Sequence, residues 1–194
     1  MVNHEAVVDR HHNRVAAFFA VAVLCASVLL SPCSAEEKDW MIGTELDLLP
    51  YLSGGYYLSL VGGVDKLRGR VVRTELTVPD FATDDAFTDN DLGVWALILD
   101  IYFKKDFKGW WIGPGLERWD GEVTEKSSGL RRKYSTDILT LGGGYTWRFS
   151  KHFYLNPWAA VHLPIGGDRE IRFASDVFEI NPTPEASVKL GIQF

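Results

Sequence analysis

The sequence predicts an all-β protein folded as an eight-stranded antiparallel up-and-down β-barrel. Apolar residues recur at every second position in eight separate runs, and this two-residue period is the signal of β-strands. Tight turns alternate with long loops between these runs, which is typical of a barrel whose strands follow one another around the ring. The mean hydropathy of −0.04 excludes a bundle of membrane helices, since each helix needs about 20 consecutive apolar residues.

The composition narrows the class of protein further. A chain of 194 residues fits one domain or two small ones. Its 7 Trp, 7 Tyr and 11 Phe residues argue against disorder and against a coiled coil. The formal net charge of −6 argues against a nucleic-acid-binding protein, which would carry a basic surface. A β-rich globular protein or a β-barrel remains, and composition alone does not separate the two.

The N-terminal segment predicts secretion. Residues 15–30 form an apolar run that has the length of a signal-peptide core and is short for a membrane span. Arg10 and Arg14 precede this run, and small residues at Cys33 and Ala35 follow it. This order predicts cleavage by a signal peptidase after Ala35, with a lipoprotein signal and an uncleaved anchor helix as the alternatives.

The predicted processing divides the chain into two parts. Residues 1–35 are a cleaved secretory signal peptide, and residues 36–194 are the barrel domain. Both cysteines of the chain lie in the removed segment. The mature chain is therefore expected to contain neither a disulfide nor thiol chemistry.

The alternation is clearest in the first and last runs of the mature chain. From Pro184 to Phe194 every second residue is apolar, and the residues between are polar or small. One face of the first run is apolar in the same way and carries Trp40, Ile42, Leu46 and Leu48. Six further strands are predicted over residues 55–64, 68–78, 92–104, 109–118, 132–148 and 152–163. Eight is the smallest strand count of membrane barrels.

The connections between the strands alternate in length. Tight turns are predicted at 65–66, 104–108 and 150–151. Long loops are predicted at 79–91, 120–131 and 165–182. This alternation places all short turns on one side of a membrane, with the N-terminus in the periplasm and the long loops outside.

Two features interrupt the predicted strands. Pro114 and Pro157 each remove a ladder hydrogen-bond donor, so bulges or strand ends are expected there. Glycines 142–144 weaken a strand, although in a barrel glycines permit close packing of a large interior side chain.

The two-residue period does not decide which face of the barrel is apolar. In a soluble barrel the apolar face points inward, and in a membrane barrel it meets lipid. Aromatic residues gather near the predicted strand ends, as in the interfacial girdles of membrane barrels. They are Trp40, Phe103, Trp110, Trp147, Phe149, Phe153 and Phe194 near the short turns, and Tyr56, Trp95, Trp119 and Tyr134 near the long loops. Ordinary core aromatics are the alternative interpretation.

The polar face carries charges of both signs in the middle of strands. We expect these side chains to fill the lumen, where opposite charges pair and leave no wide pore. The predicted lumen network comprises Glu45, Asp47, Arg73, Glu75, Asp100, Glu117, His162, Glu185 and Lys189. The alternative is the solvated outer face of a soluble barrel.

The last strand ends on an aromatic residue. Leu190, Ile192 and Phe194 occupy alternate apolar positions, and in this the sequence resembles the outer-membrane protein family, whose members end in an aromatic residue. The whole mature chain is similar in architecture to the small OmpA/OmpX/OmpW-type barrels, without a match to one subfamily. The resemblance implies the outer membrane of a Gram-negative bacterium, and a terminal strand that the outer-membrane assembly machinery reads.

The sequence offers little support for catalysis. His162 is the one interior histidine near possible partners, Ser187 and Glu185 on the final strand. The local His and Ser motifs of outer-membrane lipid-A deacylases and palmitoyltransferases are not found. No catalytic residue and no cofactor are therefore predicted.

Metal binding is not predicted either. The acidic loop that contains Asp80, Asp84, Asp85, Asp89 and Asp91 offers oxygen ligands, but its spacing matches no EF-hand. A solvated acidic loop is the simpler interpretation.

Two basic segments are predicted to lie in the outer loops. Arg and Lys side chains there suit the phosphates of lipopolysaccharide, and ordinary surface charge is the alternative. The candidate contacts are Arg131, Arg132, Lys133, Arg169 and Arg172.

The sequence thus predicts a monomeric outer-membrane barrel of structural or surface-binding type, with a filled lumen and no enzymatic activity. Its expected partners are outer-membrane lipid, lipopolysaccharide and the assembly machinery, without nucleic acid. One alternative is a soluble periplasmic, lipocalin-like binder of a small apolar ligand. A lipid-A-modifying barrel enzyme is the other.

Deletion of Phe194 is expected to impair membrane insertion and to leave secretion intact, because the residue ends the strand that is predicted to be read during assembly. Cell fractionation measures both steps. Normal insertion of the shortened chain would contradict the role assigned to the terminal strand.

Overall fold

The computed structural model describes residues Trp40–Phe194, which form a closed ring of eight antiparallel strands with a two-stranded hairpin beside it. The ring confirms the eight-stranded antiparallel barrel. The predicted signal peptide, its cleavage site and the start of the mature chain at residue 36 lie outside the described residues. The ring consists of β1 (Trp40–Asp47), β2 (Tyr56–Val64), β3 (Leu67–Val78), β4 (Phe87–Tyr102), β5 (Gly109–Glu125), β6 (Arg131–Arg148), β7 (Phe153–Gly167) and β10 (Thr183–Gln193).

Each strand of the ring pairs with its neighbour in sequence, and β1 closes the ring by pairing with β10. The additional elements are a short helix α1 (Leu48–Leu52), a 3₁₀ turn (Asp80–Ala82) and the hairpin formed by β8 (Glu170–Arg172) and β9 (Val177–Glu179). We call the end of the barrel that carries the three short turns, Trp40 and Phe194 the turn end. The opposite end, with α1, the 3₁₀ turn and the hairpin, is the loop end.

Three long connections differ in extent from the prediction. β4 begins at Phe87 and β5 continues to Glu125, so the loop between β5 and β6 shrinks to residues 126–130. The region 165–182, predicted as one loop, contains the hairpin of β8 and β9. These strand ends were not predicted because charged residues replace the outward apolar residues there. The alternation of apolar and polar residues is therefore weak at these ends.

The outer face of the barrel is apolar over most of its height. Outward positions carry large hydrophobic side chains that are strongly exposed, such as Trp40 (72% exposed), Leu60 (68%) and Trp110 (63%). Toward the loop end the outer face of β3, β5 and β6 becomes charged. Arg73 contacts Glu75 there, and Arg118 contacts Asp137 at 2.6 Å. An apolar belt is therefore followed by a charged rim.

The aromatic residues follow this division with two exceptions. The seven predicted at the turn end are exposed, and so are Tyr56 and Trp95 toward the loop end. Trp119 and Tyr134, however, face the interior: Trp119 Nε1 donates to Glu117 at 2.7 Å, and the buried Tyr134 hydroxyl donates to Asn90 at 2.8 Å. Their assignment to an outer girdle was wrong, because each shares the inward parity of its strand.

The prolines and glycines behave differently from each other. Pro114 and Pro157 sit inside continuous strands, and the ladder keeps one register on both sides of each. The expected bulges are absent there. The register instead shifts between Thr88 and Asp91 and between Asp137 and Ile138. Gly144 allows the Trp111 ring to pack against its backbone, as the glycine run predicted.

We expect Gly191→Ala to destabilise the barrel by about 1–3 kcal/mol through overpacking. A Cβ atom at Gly191 would lie 2.1 Å from Cζ of Tyr154, whose hydroxyl is fixed by a hydrogen bond to Glu45. Gly62→Ala is the matched control, because its nearest neighbour would be 3.9 Å away. Urea unfolding in lipid vesicles measures both variants, and equal midpoints would contradict the packing argument.

Candidate functional site

The interior of the barrel near the turn end is occupied by ion pairs. Arg68 lies 3.0 Å from Glu45 and 2.8 Å from Asp100, and Arg70 lies 2.8 Å from Asp100 and 3.5 Å from Glu45. These four side chains come from β1, β3 and β4 and are at most 4% exposed. Each guanidinium thus contacts both carboxylates, which compensates the cost of burying charge.

Neutral donors and aromatic rings complete the surroundings of these charges. Glu45 accepts hydrogen bonds from the Tyr154 hydroxyl at 2.9 Å and from Asn156 Nδ2 at 3.3 Å. The Arg68 guanidinium lies 5.2 Å from the centroid of the Tyr102 ring, and Arg70 lies 5.1 Å from that of a Trp111 ring. Such cation–π contacts add to the ion pairs in a desolvated site.

A further ion pair lies beside the contacts of Arg68 and Arg70 with Glu45 and Asp100. Lys189 Nζ is 3.3 Å from Asp47 and 3.4 Å from the centroid of a Trp158 ring. Asp47 also accepts hydrogen bonds from Trp158 Nε1 at 2.9 Å, from the Ser187 hydroxyl and from the Leu49 backbone N–H of α1. We call the six charged residues the ionic plug: Glu45, Asp47, Asp100, Arg68, Arg70 and Lys189. Three carboxylates face three cations, so the plug is formally neutral.

His162 forms a second polar cluster, nearer to the loop end. Its Nε2 lies 2.8 Å from Glu185, and its Nδ1 lies 2.9 Å from the Thr140 hydroxyl and 3.4 Å from Glu117. The Thr140 hydroxyl donates to Glu117 at 2.6 Å. Both ring nitrogens are therefore engaged. Ser187 donates to Asp47 and not to His162, so no Ser–His pair is formed.

The structure places most predicted lumen residues inside, but it corrects two. Glu45, Asp47, Asp100, Glu117, His162 and Lys189 are buried, and Glu185 is half-buried against His162. Arg73 and Glu75 point outward instead, where they contact each other and where Arg73 lies over the Trp95 ring.

Arg68 and Arg70 were not predicted to face the lumen, because β3 changes character along its length. Near the turn end its even positions are charged and Val71 faces outward, whereas near the loop end Val72 faces inward and the odd positions are charged. Both faces of β3 therefore contain charge. Only the turn-end half of β3 indicates which face is inward. There Arg68 and Arg70 occupy the positions that alternate with the outward apolar residues.

A cavity of about 810 Å³ lies between the ionic plug and the loop end. Its apolar wall is formed by inward residues of β3 and β4, which include Val72, Val94 and Ala96. The expectation of a filled lumen therefore holds only toward the turn end, because inward side chains of β3 and β4 such as Val72 and Ala96 are short in this half. The other side of the cavity is polar and is lined by Arg70, Lys189, Glu117, Thr140, His162 and Glu185.

The hairpin of β8 and β9 packs over the loop end of the interior. The Phe178 ring lies 5.2 Å from that of Phe87, between ring centroids. Glu125 holds the turn of the hairpin by accepting hydrogen bonds from the backbone N–H groups of Ser175 and Asp176, at 3.2 and 3.1 Å. Glu125 thus anchors the turn of this hairpin over the interior. We call the hairpin of β8 and β9 the roof hairpin.

The predicted basic and terminal residues lie at opposite ends. Arg131 contacts Asp91 and Glu122, Arg132 lies over the Phe173 ring, and Arg172 contacts Glu170, whereas Lys133 and Arg169 are exposed at the loop end without such contacts among residues 40–194. The three residues of the predicted assembly signal point outward on the last strand at the turn end. They are Leu190, Ile192 and Phe194.

Two further features concern residues 40–194 only. No group of three or more His, Cys, Asp or Glu side chains is placed there to hold a metal ion. No helix of this part of the chain is both long and apolar enough to cross a membrane.

Two solved structures are similar to this barrel. The N-terminal β-barrel domain of Pseudomonas aeruginosa OprF is 11% identical with a TM-score of 0.44, over 82% of this chain and 98% of that chain. Neisserial surface protein A is 11% identical with a TM-score of 0.44, over 81% of this chain and 98% of that chain. The sequence matches no protein-family model and no curated protein.

We expect Asp100→Asn to destabilise the barrel by about 3–5 kcal/mol, because it leaves two buried guanidinium groups with one carboxylate fewer. Glu75→Gln is the matched control. It breaks an exposed ion pair on the charged rim and is expected to cost less than about 1 kcal/mol. Urea unfolding in vesicles measures both, and an equal cost would contradict the importance of the plug.

The roof hairpin is expected to loosen in acid. Hydrogen bonds from the Ser128 hydroxyl and from the backbone of Ser175 and Asp176 hold the pKa of Glu125 below its ordinary value of 4.5. The stabilisation is therefore complete above pH 4.5 and is lost as the pH falls through the lowered pKa of the folded state. Hydrogen-exchange protection of the hairpin amides measures this loss.

Glu125→Ala is expected to remove this acid dependence by lowering the protection at every pH. Glu122→Ala on the same strand is the control, because Glu122 faces outward toward Arg131. Unchanged protection in Glu125→Ala would rule out Glu125 as the anchor.

Proposed function

We propose that this protein is an integral outer-membrane β-barrel of structural or surface-binding type. The observation that carries the proposal is the inverted distribution of polarity: large hydrophobic side chains cover the outside of the barrel, and six paired charges are buried inside it. A soluble barrel would place these groups the other way round, since monomeric soluble proteins rarely expose a continuous apolar belt. Lipid accepts the apolar belt, and ring closure pairs the strand edges except along residues 183–188 of β10.

The ionic plug supports a structural or binding role rather than that of a pore. It spans the lumen from β1 and β3 to β4 and β10, and its members are at most 4% exposed. An ion that crossed the barrel would have to separate these pairs. We therefore infer that the barrel does not conduct ions through a wide channel.

The loop end is the side that we assign to binding. With the termini in the periplasm, the charged rim and the roof hairpin face the outside of the cell. Exposed Lys133 and Arg169 suit phosphate groups of lipopolysaccharide, whereas Arg131 and Arg172 already contact carboxylates of this chain. The remaining expected partners are membrane lipid and the assembly machinery, with the protein as a monomer.

Neither alternative function explains the whole arrangement. A soluble lipocalin-like binder accounts for the cavity but leaves the apolar belt in water. A lipid-A-modifying enzyme requires a nucleophile activated by a base, and Ser187 is bonded to Asp47 instead of His162. We therefore propose no enzymatic activity and no cofactor.

Cell fractionation and bilayer recordings test the proposal. The protein is expected in the outer-membrane fraction, with a gel mobility that shifts on heating, and without stepwise conductance in planar bilayers. Recovery as a soluble periplasmic protein would contradict the membrane assignment. A steady wide-pore conductance would contradict the closed lumen.

A further inference from the structure

The wall of the barrel is incomplete on one side toward the loop end. β1 pairs with β10 only from Gly43 to Asp47, opposite Gln193 to Lys189. At Asp47 the chain leaves the strand and enters α1. Residues 183–188 of β10 therefore pair with β7 on one edge and have no strand partner on the other within residues 40–194.

The other side of this opening is formed by β2. The backbone ladder between β1 and β2 ends at Gly43, opposite Val61. Beyond it the two strands are bridged by the Ser59 hydroxyl, which is 3.0 Å from both the backbone N and O of Glu45. β1 and β2 thus diverge, and a wedge opens between β2 and β10 toward the loop end.

Helix α1 fills this wedge with few polar ties. Its N-terminus is capped by Asp47, and the Tyr51 hydroxyl donates to the backbone oxygen of Tyr57 at 2.8 Å. Leu48 and Leu52 are 50% and 84% exposed, so the helix presents apolar side chains outward at the place where a strand would continue the apolar belt. α1 is the part of the wall that no β-ladder holds within residues 40–194.

The cavity lies directly behind this wedge. Leu49 and Pro50 of α1 and Pro184 and Glu185 of β10 all line it. Pro184 suits an edge, since proline within sheets is confined to edge strands and bulges. The two elements that border the wedge therefore separate the cavity from the apolar outside of the barrel.

The chemistry of the cavity is that of an amphiphile site. One side is apolar, formed by Val72, Val94 and Ala96, and two members of the ionic plug, Arg70 and Lys189, line one end. Arg70 is 4% exposed, and its Nε has no hydrogen-bond partner within residues 40–194. Arg70 and Lys189 are the Arg and Lys side chains that line this cavity, and both carry N–H donors suited to a ligand oxygen. The volume of about 810 Å³ is within the range of roughly 300–1,000 Å³ that ligand pockets occupy.

We propose that this cavity binds a single-chain amphiphile, which enters from the surrounding lipid through the wedge between α1 and β10. The acyl chain lies along the apolar wall, and a headgroup with oxygen acceptors lies against Arg70 and Lys189. The inference rests on the membrane location proposed above. Two classes of ligand have this chemistry, because both combine one acyl chain with an oxygen-bearing headgroup. The headgroup is a carboxylate in one class and a neutral ester in the other.

Binding is tested with the full mature barrel in lipid nanodiscs, using radiolabelled palmitate and monopalmitoylglycerol as probes. We expect saturable binding of one molecule per barrel, above the uptake of empty nanodiscs. If both probes bind, the site recognises oxygen acceptors in general. If palmitate alone binds, the site is specific for carboxylates. Absence of saturable binding of either probe would overturn the proposal.

Blocking the cavity provides the matched comparison. Ala96→Trp and Val94→Phe point into the cavity and are expected to lower the affinity by about tenfold or more, whereas Leu97→Trp on the outer face of the same strand leaves it unchanged. Unchanged affinity in both blocked variants would overturn the site.

The heat-induced gel shift of each sample reports insertion separately. Loss of this shift in the wild type contradicts the proposed function, and an intact shift without binding contradicts only the amphiphile site.

The route of entry is tested by closing the wedge. Residues 40–194 contain no cysteine, so Leu49→Cys and Ala186→Cys together form one pair for a flexible bismaleimide cross-linker. Cross-linking is expected to slow uptake of the probe from the bilayer by about tenfold, and each single variant treated with the reagent serves as control. Unchanged uptake in the cross-linked pair would overturn lateral entry and indicate access from the aqueous loop end.

Discussion

The whole structure depends on the neutralisation of charge inside a ring of eight strands. A barrel of this size turns one face of every strand inward, and a face that avoids lipid is free to be polar. Arg68 and Arg70 each contact both Glu45 and Asp100, so four buried charges on three strands pair directly with one another. If one member were absent, the remaining charge would be buried and unpaired. The plug therefore links β1, β3 and β4 in one mutual arrangement.

The same constraint explains why the wall opens where it does. Asp47 is both the last residue of β1 and the partner of Lys189, and it also caps α1. The chain leaves the ring at the outer limit of the plug, and beyond that level inward side chains of β3 and β4 such as Val72 and Ala96 are short and apolar. The features of the barrel thus follow one another along its axis. The closed ladder and the ionic plug lie toward the turn end, and the wedge and the cavity lie toward the loop end. Rigid charge pairing lies near the turn end, and loosely tied elements lie near the loop end.

The sequence was sufficient for the fold because a period of two survives in all eight strands. The strand ends of β4 and β5 and the hairpin of β8 and β9 were missed, since polarity on both faces removes the contrast there. In β3 the two parities exchange character between Val71 and Val72, so Arg73 and Glu75 were placed inside and Arg68 and Arg70 were overlooked. The cavity had no sequence signal at all, because short inward side chains at Ala96 and Thr74 leave space only once the ring is closed.

The central claim is that the outward face meets lipid while the ionic plug closes the lumen. Single spin labels along β10 test it most directly in lipid vesicles, since residues 40–194 contain no competing cysteine. Labels at Val188, Leu190 and Ile192 are expected to collide often with oxygen and rarely with a water-soluble nickel complex, and labels at Ser187 and Gln193 rarely with either. High nickel accessibility at the three outward positions would contradict the account.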